Sequence, residues 1–391
     1  MSSPANSRFE PPQQHPSRPL RLGLPFGAVM ATGGAAQLAR ACGLPGATRP
    51  LLWLALAEAG WIAGRGLIRH RDDLRLPTSA WARIGPPAEH TGVLTVPLGL
   101  AVVATGLSTQ PGPARVLGAA FLVLAWLSTA VFAAQFAVSV ARRSGTTAVD
   151  GGWFLAPAAL LGAGIAAGAY AGQAVGLLAV VLQWAALLAA GIGLFGYWVV
   201  AVSAALAIPR RGLGHGKRVL WWIAAGCGGL AAAAIGRALS AGGLWPADVV
   251  TLAHGAAIVT WSFAALLVVP ILTASMRVLA RDRRIERAAP WPPTFSTAVF
   301  ALGALGTGKM LDLPAVTDVG KVAAAVTLAL WAATAALHAF RLLSSPPRTR
   351  AAQSTDVHDA PVPASPPVTA SPPAATLTPP SRSDPDRSSP R

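Results

Sequence analysis

The chain has 391 residues, of which 53% are hydrophobic and only 12% are Asp, Glu, Lys or Arg. That is about half the ~25% charged share that covers a water-facing surface, and it excludes an ordinary cytosolic enzyme. The net charge of +16 does not point to nucleic acid, because the basic residues sit between long uncharged runs and not along one face.

The two ends differ from the middle. Residues 1–20 hold five prolines among Ser, Gln and Asn, and residues 343–391 hold twelve among Ser, Thr and Ala. Neither stretch has enough apolar surface to offset the entropy of ordering, so both are expected to be disordered tails flanking a membrane domain over 21–342. The first apolar run lacks the layout of a cleaved signal peptide and is read as a retained membrane helix.

Crossing a ~30 Å hydrocarbon core takes about 20 mostly apolar residues. Ten such stretches follow in order, helices 1 to 10, near 22–41, 50–68, 91–110, 116–140, 153–172, 174–207, 219–240, 248–276, 293–311 and 320–341. The run from Gly151 to Pro209 contains no Asp, Glu, Lys or Arg and is long enough for two helices with a turn near Ala171–Gln173. Barrel strands would alternate in polarity. These runs are continuous, so the fold class is all-α.

Loop charge supports the count. With helix 1 starting inside, 24 of the 31 Lys and Arg residues fall on the cytoplasmic side, the bias expected of inner loops. Both termini are therefore expected in the cytoplasm, with the chain in the plasma (inner) membrane.

Glycine and proline concentrate in the odd-numbered helices. Helix 1 carries Gly23, Pro25, Gly27, Gly33 and Gly34; helix 3 carries Gly92, Pro97, Gly99 and Gly106. Pro157 in helix 5, Gly226 in helix 7 and Gly303 in helix 9 continue the series. Breakers survive in a membrane where neighbours or cavity water satisfy the backbone, so the odd helices are expected to be inner and kinked, the even ones to face lipid. Any single glycine is equally explained by close helix packing. The odd–even bias implies five helical hairpins around a central axis.

Ionisable residues within the helices are few. Glu58 and Arg65 share a face of helix 2 and are placed to pair, while His254 and His338 lie in helices 8 and 10. Intramembrane charges are functional candidates by default, but no chain of them forms a relay. Cys42 and Cys227 are read as small buried hydrophobes. No metal-ligand cluster, Walker loop or nucleotide fingerprint is present, so no cofactor is expected.

Phe26-Gly-Ala-Val-Met-Ala-Thr-Gly33 in helix 1 and Phe295-Ser-Thr-Ala-Val-Phe-Ala-Leu-Gly303 in helix 9 resemble signatures of the tellurite-resistance/dicarboxylate transporter (TDT) family. That family includes TehA-like proteins and slow-type anion channels. Trp261 and Trp331 stand where members often have Trp, and Ala301 replaces a usual proline. The resemblance covers about 20–342. It implies five hairpins in quasi-five-fold arrangement, a pore lined by the odd helices and plugged by a helix-9 phenylalanine, and a homotrimer embedded in membrane lipid. By motif the plug is Phe300. Candidate lining or kink residues are Phe26, Thr32, Gly33, Thr95, Pro97, Gly99, Pro157, Gly226 and Gly303, with hydroxyls also from Thr105, Thr297 and Thr307.

The expected function is passage of small anions, whether inorganic anions, C4-dicarboxylates or oxyanions such as tellurite. A lining of backbone and hydroxyl groups without acidic rings suits anions. The alternative is a proton-coupled exporter of sulfite or another weak acid, using Glu58 or His254. A membrane enzyme would need a polar cluster at one membrane face, which the sequence lacks.

Overall fold

A computed structural model describes residues 23–69, 94–141, 149, 151–211, 221–240, 245–281 and 291–344. The two tails, and most of the basic loop segments, lie outside the described residues. So does most of the second of two units, Arg341–Arg391, of which only the last turn of a helix is described; the first, Met1–Phe340, holds everything discussed below.

The described residues contain ten α-helices: α1 Gly23–Ala41, α2 Pro45–Arg69, α3 Thr95–Leu107, α4 Pro113–Ala141, α5 Leu155–Ala171, α6 Gly176–Arg211, α7 Trp222–Ser240, α8 Ala247–Arg281, α9 Trp291–Met310 and α10 Pro314–Ser344. A 3-10 turn, Gly151–Phe154, leads into α5. The order and number match the ten apolar stretches. By length and composition, α4, the α5 segment, α6, α7, α8 and α10 are each able to cross a membrane. Within the described residues α3 has 13 residues, about 20 Å at 1.5 Å per residue, shorter than the expected 91–110.

The odd helices form a closed ring. α1 packs on α3, α3 on α5, α5 on α7, α7 on α9, and α9 returns to α1. Burial separates the two sets: 94% of the α5 window and 72% of the α7 window are buried, against 22%, 28%, 28% and 17% for α4, α6, α8 and α10. Outer helices expose large apolar side chains such as Trp61, Leu127, Phe195, Leu266 and Phe340, the side chains a bilayer solvates. The protein is thus an all-α membrane bundle of five hairpins, inner odd helices and outer even ones.

Lipid tails are as apolar as leucine, so helix association here relies on close packing rather than on escape from water. Glycines let the ring close. A Cβ on Gly303 of α9 would strike the carbonyl oxygen of Gly229 in α7, and one on Gly226 would lie 2.8 Å from the Ser296 Cα. On α1, Gly33 faces Val102 of α3, while Gly34 lies 3.1 Å from the Ala298 Cβ of α9 by the same measure.

The hairpin turns repeat one device. Gly43, Gly112, Gly176 and Asp312 have positive φ and lie at four of the five hairpin connections. At α1 and α9 the turn is closed alike: Leu44 N–H donates to Ala39 O and Leu313 N–H to Gly308 O. This is the Schellman arrangement, which needs a left-handed residue after the helix; glycine supplies it freely, and aspartate tolerates it.

Candidate functional site

All five inner helices, together with α8 and α10, border one cavity of about 1460 Å³. Its inner-helix wall includes Gly34, Gln37 and Ala41 on α1, Val102 and Thr105 on α3, Gly162 and Ile165 on α5, Leu230, Ala233 and Arg237 on α7, and Val299, Leu302 and Gly306 on α9, while α8 adds Val250 and His254 and α10 adds Thr317 and Lys321. These spacings of three and four trace one face of each helix. Lining positions fall mainly in the C-terminal halves, so the cavity opens beside the hairpin turns, where Cys42 and Leu44 also border it.

One turn toward the N-termini, the same stripes carry Met30, Leu98, Ala158 and Phe295, all buried and part of one apolar cluster. None of these borders the cavity. The Phe295 ring reaches Gly34, 3.8 Å from where a Cβ there would stand. The cluster also takes in Val102, Leu230 and Val299 of the cavity wall, so the cavity runs directly onto it.

Placement of the motif residues differs from the expectation of a lining. Phe300 is buried and its ring stacks on Trp261 of α8; it does not border the cavity. Nor do Phe26, Thr32, Gly33, Thr95, Pro97, Gly99, Pro157, Gly226 and Gly303. Depth accounts for Phe26, Thr95 and Gly226, which share the phase of the lining stripes but lie nearer the N-termini, and helical phase accounts for residues such as Gly33, since a shift of one position turns a side chain by about 100°. Gly33 sits between helices and Gly34 in the wall. Phe26 packs against Gly99, and Pro157 meets Gly193 and Gly196 of α6. Of the hydroxyl candidates, Thr105 alone borders the cavity, and its Oγ1 donates to Ala101 O at 2.8 Å.

Thr32 belongs to a polar network instead. Trp331 Nε1 donates to Thr32 Oγ1 at 3.1 Å, and Thr32 Oγ1 donates to Glu58 Oε1 at 3.4 Å. Glu58 Oε2 is buried with no partner among the described residues. The expected Glu58–Arg65 pair does not form: the Arg65 guanidinium lies over the Trp61 ring, 5.1 Å from its centroid. A cation–π contact suits a half-exposed arginine near a helix end better than a desolvated ion pair. His254 borders the cavity, and His338 packs against Trp291. Cys42 is exposed, unlike the buried Cys227, because it sits at the turn after α1.

Sequence reasoning missed Gln37 and Arg237. Gln37 Nε2 donates to Val102 O at 3.1 Å, joining α1 to α3 in the cavity wall. A polar residue recurring on the stripe of glycines was the available signal.

A family model, the voltage-dependent anion channels, matches residues 25–339, from the start of α1 to the end of α10. The chain belongs to that family. No curated protein matches it. Membership of the voltage-dependent anion channel family makes this a multi-pass membrane protein of the channel and transporter class, acting on anions and not an enzyme family.

Proposed function

We propose that the protein carries small anions along the axis of the five inner helices, entering through the cavity and passing the apolar cluster when it opens. The single observation behind this is a cavity bordered by all five inner helices that runs onto a buried apolar cluster of the same helices. An apolar constriction opposes ions by dewetting and needs no charge to do so. Inorganic anions, C4-dicarboxylates and oxyanions such as tellurite are the proposed cargo.

A helix-9 phenylalanine is the proposed gate. The family motif selects Phe300, whose ring must leave Trp261 to reach the axis. The lining stripe favours Phe295 as the ring that closes the axis in this conformation. Assembly as a homotrimer in the plasma (inner) membrane, both termini cytoplasmic, completes the proposal. It agrees with the basic-residue bias.

The test is anion efflux from proteoliposomes across a panel of chloride, nitrate, sulfite, tellurite and malate salts. Efflux of none, at verified incorporation, would overturn the reading. The proton-coupled exporter is the second reading, favoured by the unpartnered Glu58 Oε2. It requires proton movement in step with the anion, which a pH dye inside the vesicles detects.

A further inference from the structure

The five inner helices direct their C-terminal ends toward the mouth of the cavity. Each carries a partial negative charge of about half an elementary unit, which opposes an arriving anion. Side chains must therefore set the sign of the field. α1, α7 and α9 each place a cation in the last turn, Arg40, Arg237 and Lys309, whereas α3 and α5 place none.

Of the described Lys and Arg residues bordering the cavity, Arg237, Lys309 and Lys321, Arg237 alone carries a guanidinium. Lys321 is already engaged by Asp318 at 2.8 Å. Asp312 borders the cavity too, at the α9–α10 turn. The Arg237 stem crosses Gly168 of α5, its Cγ 2.8 Å from where a Cβ there would stand, so its root is fixed between two inner helices. Its guanidinium makes no hydrogen bond or ion pair with any described residue, and it lies close enough to Arg40 to be under that residue's charge. Two neighbouring cations repel each other, and an anion between them relieves the repulsion. A guanidinium also offers a planar fork of N–H donors. That fork matches two oxygens of a carboxylate or planar oxyanion, while a spherical halide gains charge but not the paired geometry.

We propose that Arg237 is the anion-docking residue of the cavity, holding a carboxylate or planar oxyanion by its fork before the anion moves inward. This rests on the conduction reading above and adds the site and its ligand class. Two measurements separate them. In detergent at constant ionic strength, nitrate should protect wild-type protein from arginine modification by phenylglyoxal, and Arg237→Gln should lose the protected fraction. In proteoliposomes, Arg237→Gln should raise the apparent KM for nitrate about tenfold, as expected for loss of a charged hydrogen-bonding partner. Arg237→Lys, which keeps charge and most of the stem, should leave chloride KM near wild type and lose the preference for nitrate. An unchanged nitrate KM in Arg237→Gln, or an unchanged nitrate preference in Arg237→Lys, would overturn the docking role. If Arg237→Gln fails to fold, Arg237→Lys decides alone. Absence of wild-type flux would sink the conduction reading, leaving the protection assay to judge Arg237.

Discussion

The ring of Phe300 lies almost parallel to that of Trp261, with centroids 5.6 Å apart and planes inclined by 20°. α9 thereby turns its motif phenylalanine toward outer helix α8 and α7, while Phe295, five residues earlier, continues the stripe of Val299, Leu302 and Gly306. Aromatic pairs of this kind contribute about 0.5–1.5 kcal/mol beyond their buried area. Moving Phe300 to the axis would forfeit that.

The gate is therefore open to direct comparison. Phe295→Ala is expected to raise nitrate or chloride efflux more than Phe300→Ala, because it removes a ring from the stripe that continues the cavity wall. Phe300→Ala should chiefly lower stability, toward the ~3–5 kcal/mol of a buried Phe→Ala change. Efflux at matched incorporation, with unfolding midpoints in detergent, checks both. A large efflux increase in Phe300→Ala with unchanged stability would return the gate to the motif residue.

Two glycines three residues apart on α9 should behave oppositely. Gly303→Ala places a methyl against the Gly229 carbonyl and should cost about 1–3 kcal/mol through overpacking. Gly306 borders the cavity and a Cβ there meets nothing within 4 Å. Gly306→Ala should be neutral or stabilise by about 0.5–1 kcal/mol, since alanine favours helix. Thermal unfolding of the two variants is the measurement. Equal destabilisation would contradict the α7–α9 contact.

The polar network across α1, α2 and α10 has its own signature. Trp331→Phe deletes the donor to Thr32 and should cost about 0.5–1.5 kcal/mol. Glu58→Gln should be tolerated, because the amide oxygen still accepts from Thr32. If passage is uncoupled from protons, Glu58→Gln leaves efflux and its pH profile unchanged. A flattened profile with loss of uphill export would favour the coupled exporter.

Topology follows from the basic-residue bias. Reporter fusions after residues 45, 145 and 345 should read outside, inside and inside. Removing the chain from about Ser344 onward should leave insertion and efflux intact, because its composition offers little to pack. An outward reading at 345 would break the ten-helix count.

Helix number, order and the inner–outer division were legible in the sequence, since each depends on local composition. A continuous apolar run reports a helix wherever it lies, and the glycine and proline of Gly33, Pro97, Pro157, Gly226 and Gly303 report an element tightly enclosed by others. Rotation of each helix about its axis was not legible. Lining and interface are built from the same small apolar residues, so Gly33 and Gly34, or Phe295 and Phe300, carry no contrast that a periodicity detects. Only the packed ring decided between them. The glycine contacts of α7 on α9 and α1 on α3 fix each helix's phase, and that phase turned Thr32 to Glu58, Phe300 to Trp261 and Arg237 into the cavity.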